Sequence, residues 1–429
     1  MKPFHIIVLA AFIFLAVVGV VVFATYRAKS GQGIGAVTMW GTLPQALMES
    51  VLQSVRETHA DFNNVSYVEK DPRTYESDMV NAIAAGTGPD IFLLPQDRIL
   101  SFGNKIMPIP FSVVSERVFR HTYLDAAGIY LSAAGIAGIP YTIDPMVMYW
   151  NRDLFATAGV ALPPNTWDQF FALSKIITKK NPAGTVTRAT VPLGEYANIP
   201  HAKDILATLI LQVGNPIVRV SQGEFQETFD MNNVPGITPQ APETALRFYT
   251  EFSNPTKDTY TWNRGLPNAR EMFTAGDVAM YFGFSSELPA IRNANPNLNF
   301  DVARLPQALD AKTSITFGRM TALSIPRGAR NPNGAFQVAS VLSGDAALAA
   351  LSLQSSLPPV SRALLSQNPP QAYQSVFFSS ALIARAWFDP SPEETDIIFK
   401  NMIEDTTSGK ARLSEAVQSA ARDMANLLR

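Results

Sequence analysis

The chain has 429 residues, 47% of them hydrophobic, which is enough for more than one domain with its own core. Its 34 basic and 36 acidic residues are spread along the chain and leave a net charge of −2, so no basic footprint for nucleic acid is present. The absence of cysteine excludes disulfides, thiolate nucleophiles, cysteine-ligated zinc and cysteine-linked lipid anchors.

After a short tail, residues 1–5, the run IIVLAAFIFLAVVGVVVFA at 6–24 carries no charge. About 19 residues at about 1.5 Å of rise each nearly span a hydrocarbon core, which predicts a transmembrane anchor. A cleaved signal peptide is the competing reading, with Val22 and Ala24 at the small-residue positions before a cut, but the run is longer than a typical signal core. Residues 25–36 read as a linker. Within it SGQGIGA fits G-x-G-x-x-A, yet this stretch follows a membrane segment and precedes a strand, the reverse of the context a dinucleotide loop needs.

From Val37 the pattern alternates strand and helix. AVTMW, VSYVE and DIFLL read as strands. Between them, TLPQALMESVLQSVRETH has apolar residues at helical spacing, and TYESDMVNAIAAG is a helix closed by Gly86. This βαβαβ order predicts an open parallel sheet of the α/β class. Ligands of such sheets sit beyond the carboxyl ends of the strands, which singles out residues 42–45 and 95–98. Further on, MVMYW is a buried strand ended by Asn151, residues 152–158 are a short helix closed by Gly159, and Thr166 with Gln169 forms a capping box for the next helix. Tyr141 and Asp144 are a polar pair placed just before that buried strand.

Four separated pieces resemble the extracellular solute-binding proteins of ABC importers, in particular the sugar-binding branch that includes maltose-binding protein. They are AIAAGTGPDIFLLPQDRI, GIAGIPYTIDPMVMYWNRDLFATAGVALPPNTWDQF, AREMFTAGDVAMYFGFSSEL and TALSIPRGARNPNGAFQVASVLSGDAALAALSLQSSLPPVSRAL. The second is the most specific. The family's Tyr before the strand-end Asn is Trp150 here and its helix-start Glu is Gln169, and the lipidated cysteine of many members is missing.

The resemblance implies an α/β, two-lobed periplasmic-binding-protein-like fold of type II, here with an N-terminal transmembrane helix. Residues 37–142 and 321–369 would form the first lobe, and 143–320 and 370–429 the second, with a solute enclosed between them by hinge closure. Asp97, Arg98 and Asp144 match ligand-binding positions of the sugar branch. Trp40 and Thr42 end the first strand, where an indole would suit the C–H face of a pyranose, although Trp40 serves a core equally well. Tyr141 would lie at the crossover, Phe284 and Ser285 at a strand end facing the cleft, and Trp262 and Trp387 on the second lobe as stacking surfaces.

The function so implied is capture of a small solute, a mono- or oligosaccharide, for ABC permease subunits. The protein would act as a monomer on the outer face of the cell membrane, held there by its N-terminal helix, with no cofactor and no nucleic-acid partner. A membrane-tethered sensor or adhesion module is the alternative. A glycoside hydrolase using Asp97 and Asp144 is the remaining reading. Against catalysis and metal binding stand the lack of nucleophile-elbow, zincin and Walker motifs and the scattered placing of His5, His59, His121 and His201.

Overall fold

The computed structural model describes residues 33–231, 234–369 and 371–429, so the expected anchor at 6–24 and residues 25–32 of the linker lie outside the described residues. Strand β1 (Val37–Gly41) buries Val37, Met39 and Gly41 and half-exposes Thr38 and Trp40, the period-two pattern of a strand with one face on a core. It pairs in parallel with β2 (Val65–Glu69) and β3 (Ile91–Pro95). The first four residues of β3 are all buried, as a central parallel strand covered on both faces requires. Helix α1 (Gln45–Arg56) connects β1 to β2 and buries Met48, Val51, Leu52 and Val55, one stripe at helical spacing. Helix α2 (Tyr75–Ala84) connects β2 to β3 and is followed by Gly86 at φ 67°, the left-handed residue expected there. Asp90, just before β3, accepts from the backbone N–H groups of Thr38 (3.0 Å) and Asn331 (2.9 Å), and so ties the sheet to a later helix.

Strand β4 runs unbroken from Ile139 to Asn151. Tyr141 and Asp144 are therefore inside a strand, not in an approach to one. The reason is a long partner: β7 (Thr316–Ser324) pairs antiparallel with the first half of β4, from Leu323 opposite Ile139 to Gly318 opposite Pro145. The second half of β4 pairs with β5 (Met280–Phe284) and β6 (Phe300–Arg304), while the far end of β7 pairs with β3. One eight-stranded sheet results, in the order β5-β4-β7-β3-β1-β2, with β6 beside β4 and β8 (Ala384–Arg385) beside β7. The register shifts between Thr321 and Ala322, where β7 passes from one half of the sheet to the other.

The buried side chains fall into two clusters joined by this β4–β7 ribbon. The first is built from residues up to Ile143 and from Met320 to Leu365, the second from Met146 to Phe317 together with the C-terminal helices. Phe377 packs in the second cluster, whereas Ala381 and Ala384 pack in the first and Trp387 in the second again. The chain thus passes from the first core to the second between Leu365 and Phe377, and touches the first core again at Ala381 and Ala384 before returning at Trp387.

The side chain of Asn151 accepts from Asp153 and Leu154, each at 3.0 Å, and caps α3 (Arg152–Thr157), after which Gly159 has φ 73°. The expected capping box is half-formed. Gln169 Oε1 accepts from the Asn165 and Thr166 N–H groups, but α4 (Gln169–Ile177) begins at Gln169 itself, because Thr166 is engaged in a bridge to Gln307. Among the described residues no single helix is long and apolar enough to cross a membrane.

Candidate functional site

Between the two cores lies a cavity of about 980 Å³. The first lobe contributes Thr42, Pro72, Gln96 and Asp97. The ribbon contributes Phe317, Arg319, Met320 and Thr321, and the second lobe Tyr196, His201, Lys203 and Asp204. The segment after β8 supplies Trp387, Asp389, Glu393, Asp396 and Lys400.

Gln96 fixes the first wall: its buried Oε1 accepts from the Met320 N–H at 2.6 Å, clamping the end of β3 to β7. The next residue, Asp97, has no hydrogen-bond or ion-pair partner among the described residues. Burial pushes its carboxyl up to about 6, and the negative charge of Asp389 adds to the shift, against smaller opposing effects of Arg98, Lys203 and Arg319. A half-buried carboxylate with free lone pairs at the floor of a cavity is an acceptor waiting for a donor.

Arg319 stands near it on β7. Its Nη2 donates to Asp204 Oδ2 at 2.5 Å, its guanidinium lies 4.0 Å from the Phe284 ring centroid, and its side chain is still 49% exposed. Opposite it in register, Asp144 accepts at Oδ1 from the Ser285 hydroxyl (2.7 Å) and the Ser286 N–H (3.0 Å). Burial raises the Asp144 carboxyl above its usual range, and the hydrogen bonds from Ser286 and Ser285 offset part of that rise.

The far wall is held by Lys203. Its Nζ donates to Asp389 Oδ2 (2.8 Å), Thr395 Oγ1 (2.7 Å) and the Pro392 carbonyl (3.1 Å), and lies 5.6 Å from the Trp387 ring centroid. His201 Nε2 is 2.7 Å from Glu287 Oε1, its ring meets that of Phe284 edge-on, and its Nδ1 is buried without a partner among the described residues. Tyr196 donates to Asp396 at the rim. No three acidic or histidine side chains among the described residues gather as a metal site.

Of the residues singled out from sequence, Thr42, Asp97 and Trp387 line this cavity. Arg98 borders it, but its guanidinium is already bound by Glu76 and Glu393. Asp144 and Ser285 hold each other beneath the floor. Trp40 lies outside the lining, with Lys70 Nζ 3.7 Å above its ring. Tyr141 is 1% exposed and packs in the first core against Met48, because alternation along β4 turns it away from the cleft. Phe284 is also buried and acts as the bed on which Arg319 rests. Trp262 is wholly inside the second core, where its indole N–H donates to Asn198 at 3.0 Å. Of the two acids considered as a glycosidase pair, only Asp97 faces the cavity.

Sequence reasoning passed over Arg319, Lys203, Asp204 and Asp389. One signal was available: Arg319 is the lone charge in the apolar strand TFGRMTALS, and a buried strand carries such a residue only with a partner or a task. The stretch around Lys203 has no comparable mark.

A family model for bacterial extracellular solute-binding proteins matches residues 52–376. The chain belongs to that family. Several solved structures share the fold. A cyclic α-maltosyl-1,6-maltose-binding protein from Arthrobacter globiformis superposes with a TM-score of 0.75 at 14% identity, covering 92% of this chain and 98% of that one. A cyclo/maltodextrin-binding protein complexed with maltotetraose gives 0.72 at 16% identity, with 92% and 97% covered. An ABC transporter solute-binding protein from Thermotoga lettingae bound with α-D-tagatose gives 0.68 at 20% identity, with 92% and 100% covered. No curated protein matches in sequence. For an extracellular solute-binding protein of this two-lobed fold, the cavity between the lobes is the site that its architecture points to.

Proposed function

We propose that the protein is the solute-capturing subunit of an ABC importer, that its solute is a mono- or oligosaccharide, and that it works as a monomer tethered outside the cell by residues 6–24. The observation that carries this reading is the composition of the interlobe cavity. Asp97 offers free acceptor lone pairs, Arg319 keeps N–H groups turned to the cavity, and Trp387 and Tyr196 supply aromatic surface. A sugar hydroxyl donates and accepts at once, so an acceptor beside a donor suits it, and its C–H faces suit an aromatic ring. The sugars named with the solved structures above belong to the same chemical class.

Thermal-shift measurements with tagatose, maltose, maltotetraose and mannobiose test the ligand class, since a solute bound only by the folded state raises the melting temperature with concentration. Binding by at least one saccharide is expected, without its turnover. Substituting Arg319→Gln is expected to weaken that binding by roughly tenfold to a hundredfold, the loss of one charge-assisted hydrogen bond. A panel in which no saccharide shifts the transition, or in which one is hydrolysed, defeats the reading. For the tether, the full chain is expected in the membrane fraction and, once solubilised, at the mass of one chain by light scattering; a mature protein beginning at Thr25 would show a cleaved signal instead.

A further inference from the structure

The resemblance gives Arg98 to the ligand, but the geometry gives its guanidinium another occupation. Arg98 closes the short turn after β3 on the first lobe. Its Nη1 donates to Glu76 in the first turn of α2, on the same lobe. The same Nη1 donates to Glu393 Oε2 at 2.9 Å, while Nη2 donates to Glu393 Oε1, a bidentate fork-to-fork pair. Glu393 is in the first turn of the helix Pro392–Thr407, whose buried face belongs to the second core. A carboxylate is favoured at a helix N-terminus, and the Arg98 hydrogen bonds hold Glu393 below its usual proton affinity.

Among the described residues this is the one ion pair that joins a side chain rooted in the first lobe to one rooted in the second. Arg319–Asp204 starts on β7, and Arg385–Asp125 on β8, strands that themselves cross between the cores. Glu393 also lines the cavity, so the pair forms part of its wall.

We infer that Arg98 is a cross-cleft latch: Glu76 positions its guanidinium on one lobe, and its grip on Glu393 draws the other lobe in before any solute arrives. Arg98 then acts on affinity through the population of the closed form and not through a contact with the solute. Apparent affinity scales with the fraction of protein already competent to bind, so an intact latch tightens binding of whatever the cleft accepts. The inference needs only two lobes about a hinge and stands whether or not the solute is a saccharide.

The test uses the solute-free protein. Because the chain has no cysteine, Gln53→Cys and Gln418→Cys, at exposed positions on the two lobes, accept spin labels without background. Pulsed electron resonance then reads the interlobe distance distribution. Glu393 is 65% exposed, so Glu393→Ala keeps the fold, which an unchanged melting curve verifies. It is expected to lower the closed-to-open ratio by roughly two- to tenfold, the range that partly exposed ion pairs support. In the unsubstituted protein, about 1 M salt, where the screening length is about 3 Å, is expected to produce the same shift. Glu394→Ala, one residue along and outside the contact, is expected to change nothing. Identical distributions with and without the Glu393 carboxylate overturn the latch, as does an equal shift in Glu394→Ala.

Discussion

Replacing Lys203 by methionine is expected to lower the unfolding free energy by about 3–5 kcal/mol, the usual consequence of leaving a buried charge without its partner. Asp389 is only 3% exposed, and among the described residues Lys203 provides its one cationic neighbour within bonding distance. Burial already pushes the Asp389 carboxyl above its ordinary range, and the ammonium is the largest influence holding it down. Take the ammonium away and the carboxylate either stays charged in a poor environment or takes up a proton; both are unfavourable at neutral pH. The pair also fixes the entry to the C-terminal helix, since Lys203 reaches the Pro392 carbonyl and Thr395 besides Asp389. Urea denaturation at pH 7 measures the loss. The double variant Lys203→Met with Asp389→Leu, in which no charge is left behind, is expected to recover most of it. A single variant within about 1 kcal/mol of the parent would show that water reaches Asp389 freely and that the pair is no structural anchor.

The substitution Asp97→Asn is expected to act in opposite directions on stability and on binding. The carboxyl of Asp97, pushed from 3.8 to about 6, holds its proton more tightly in the folded protein than in the unfolded chain. Between those two values the folded state binds more protons, so stability falls as pH rises through the window, and the full penalty is present above about pH 6. A shift of about two units corresponds to roughly 3 kcal/mol. Asp97 borders the water of the cavity, which screens its charge, so about 1–2 kcal/mol is the expected gain for Asn at pH 8. Near the ordinary carboxylate value the folded side chain is protonated and the unfolded one about half so, and most of the gain is lost. Solute binding at pH 8 is expected to weaken by roughly tenfold to a hundredfold, as the charge-assisted acceptor becomes a neutral amide. Melting curves for parent and variant at pH 8 and pH 4 decide the first point and calorimetry with a bound saccharide the second. A stability difference of the same size at both pH values would mean that the proton affinity of Asp97 is not the cause.

These two residues show how unevenly the site could be read in advance. Asp97 was accessible because the end of a parallel strand in an α/β sheet is a place where ligands meet the chain, whatever the remaining fold. Lys203 and Asp389 are separated by nearly half the chain and lie in stretches whose local patterns say only helix start and turn. Nothing in either stretch signals the other.

The sequence by itself determined the alternation β1-α1-β2-α2-β3, the glycine-closed helices at Gly86 and Gly159, and the capping Asn151, because each depends on the backbone preferences and apolar spacing of a few neighbouring residues. It also carried enough of the family's motifs to anticipate two lobes around a cleft. Tertiary structure decided which way the side chains on the crossing ribbon face. Strand β4 is apolar over most of its length, and its pairing with β7 on one half and β5 and β6 on the other sets which of its faces meets a core and which meets the cleft. Hence Tyr141 and Phe284 went into cores, while Arg319 was left facing the cavity. The partner of each charge was likewise a tertiary choice: Arg98 with Glu393 and Lys203 with Asp389 are matched by the folding of distant segments, since a buried charge accepts whichever opposite charge the packing brings within reach.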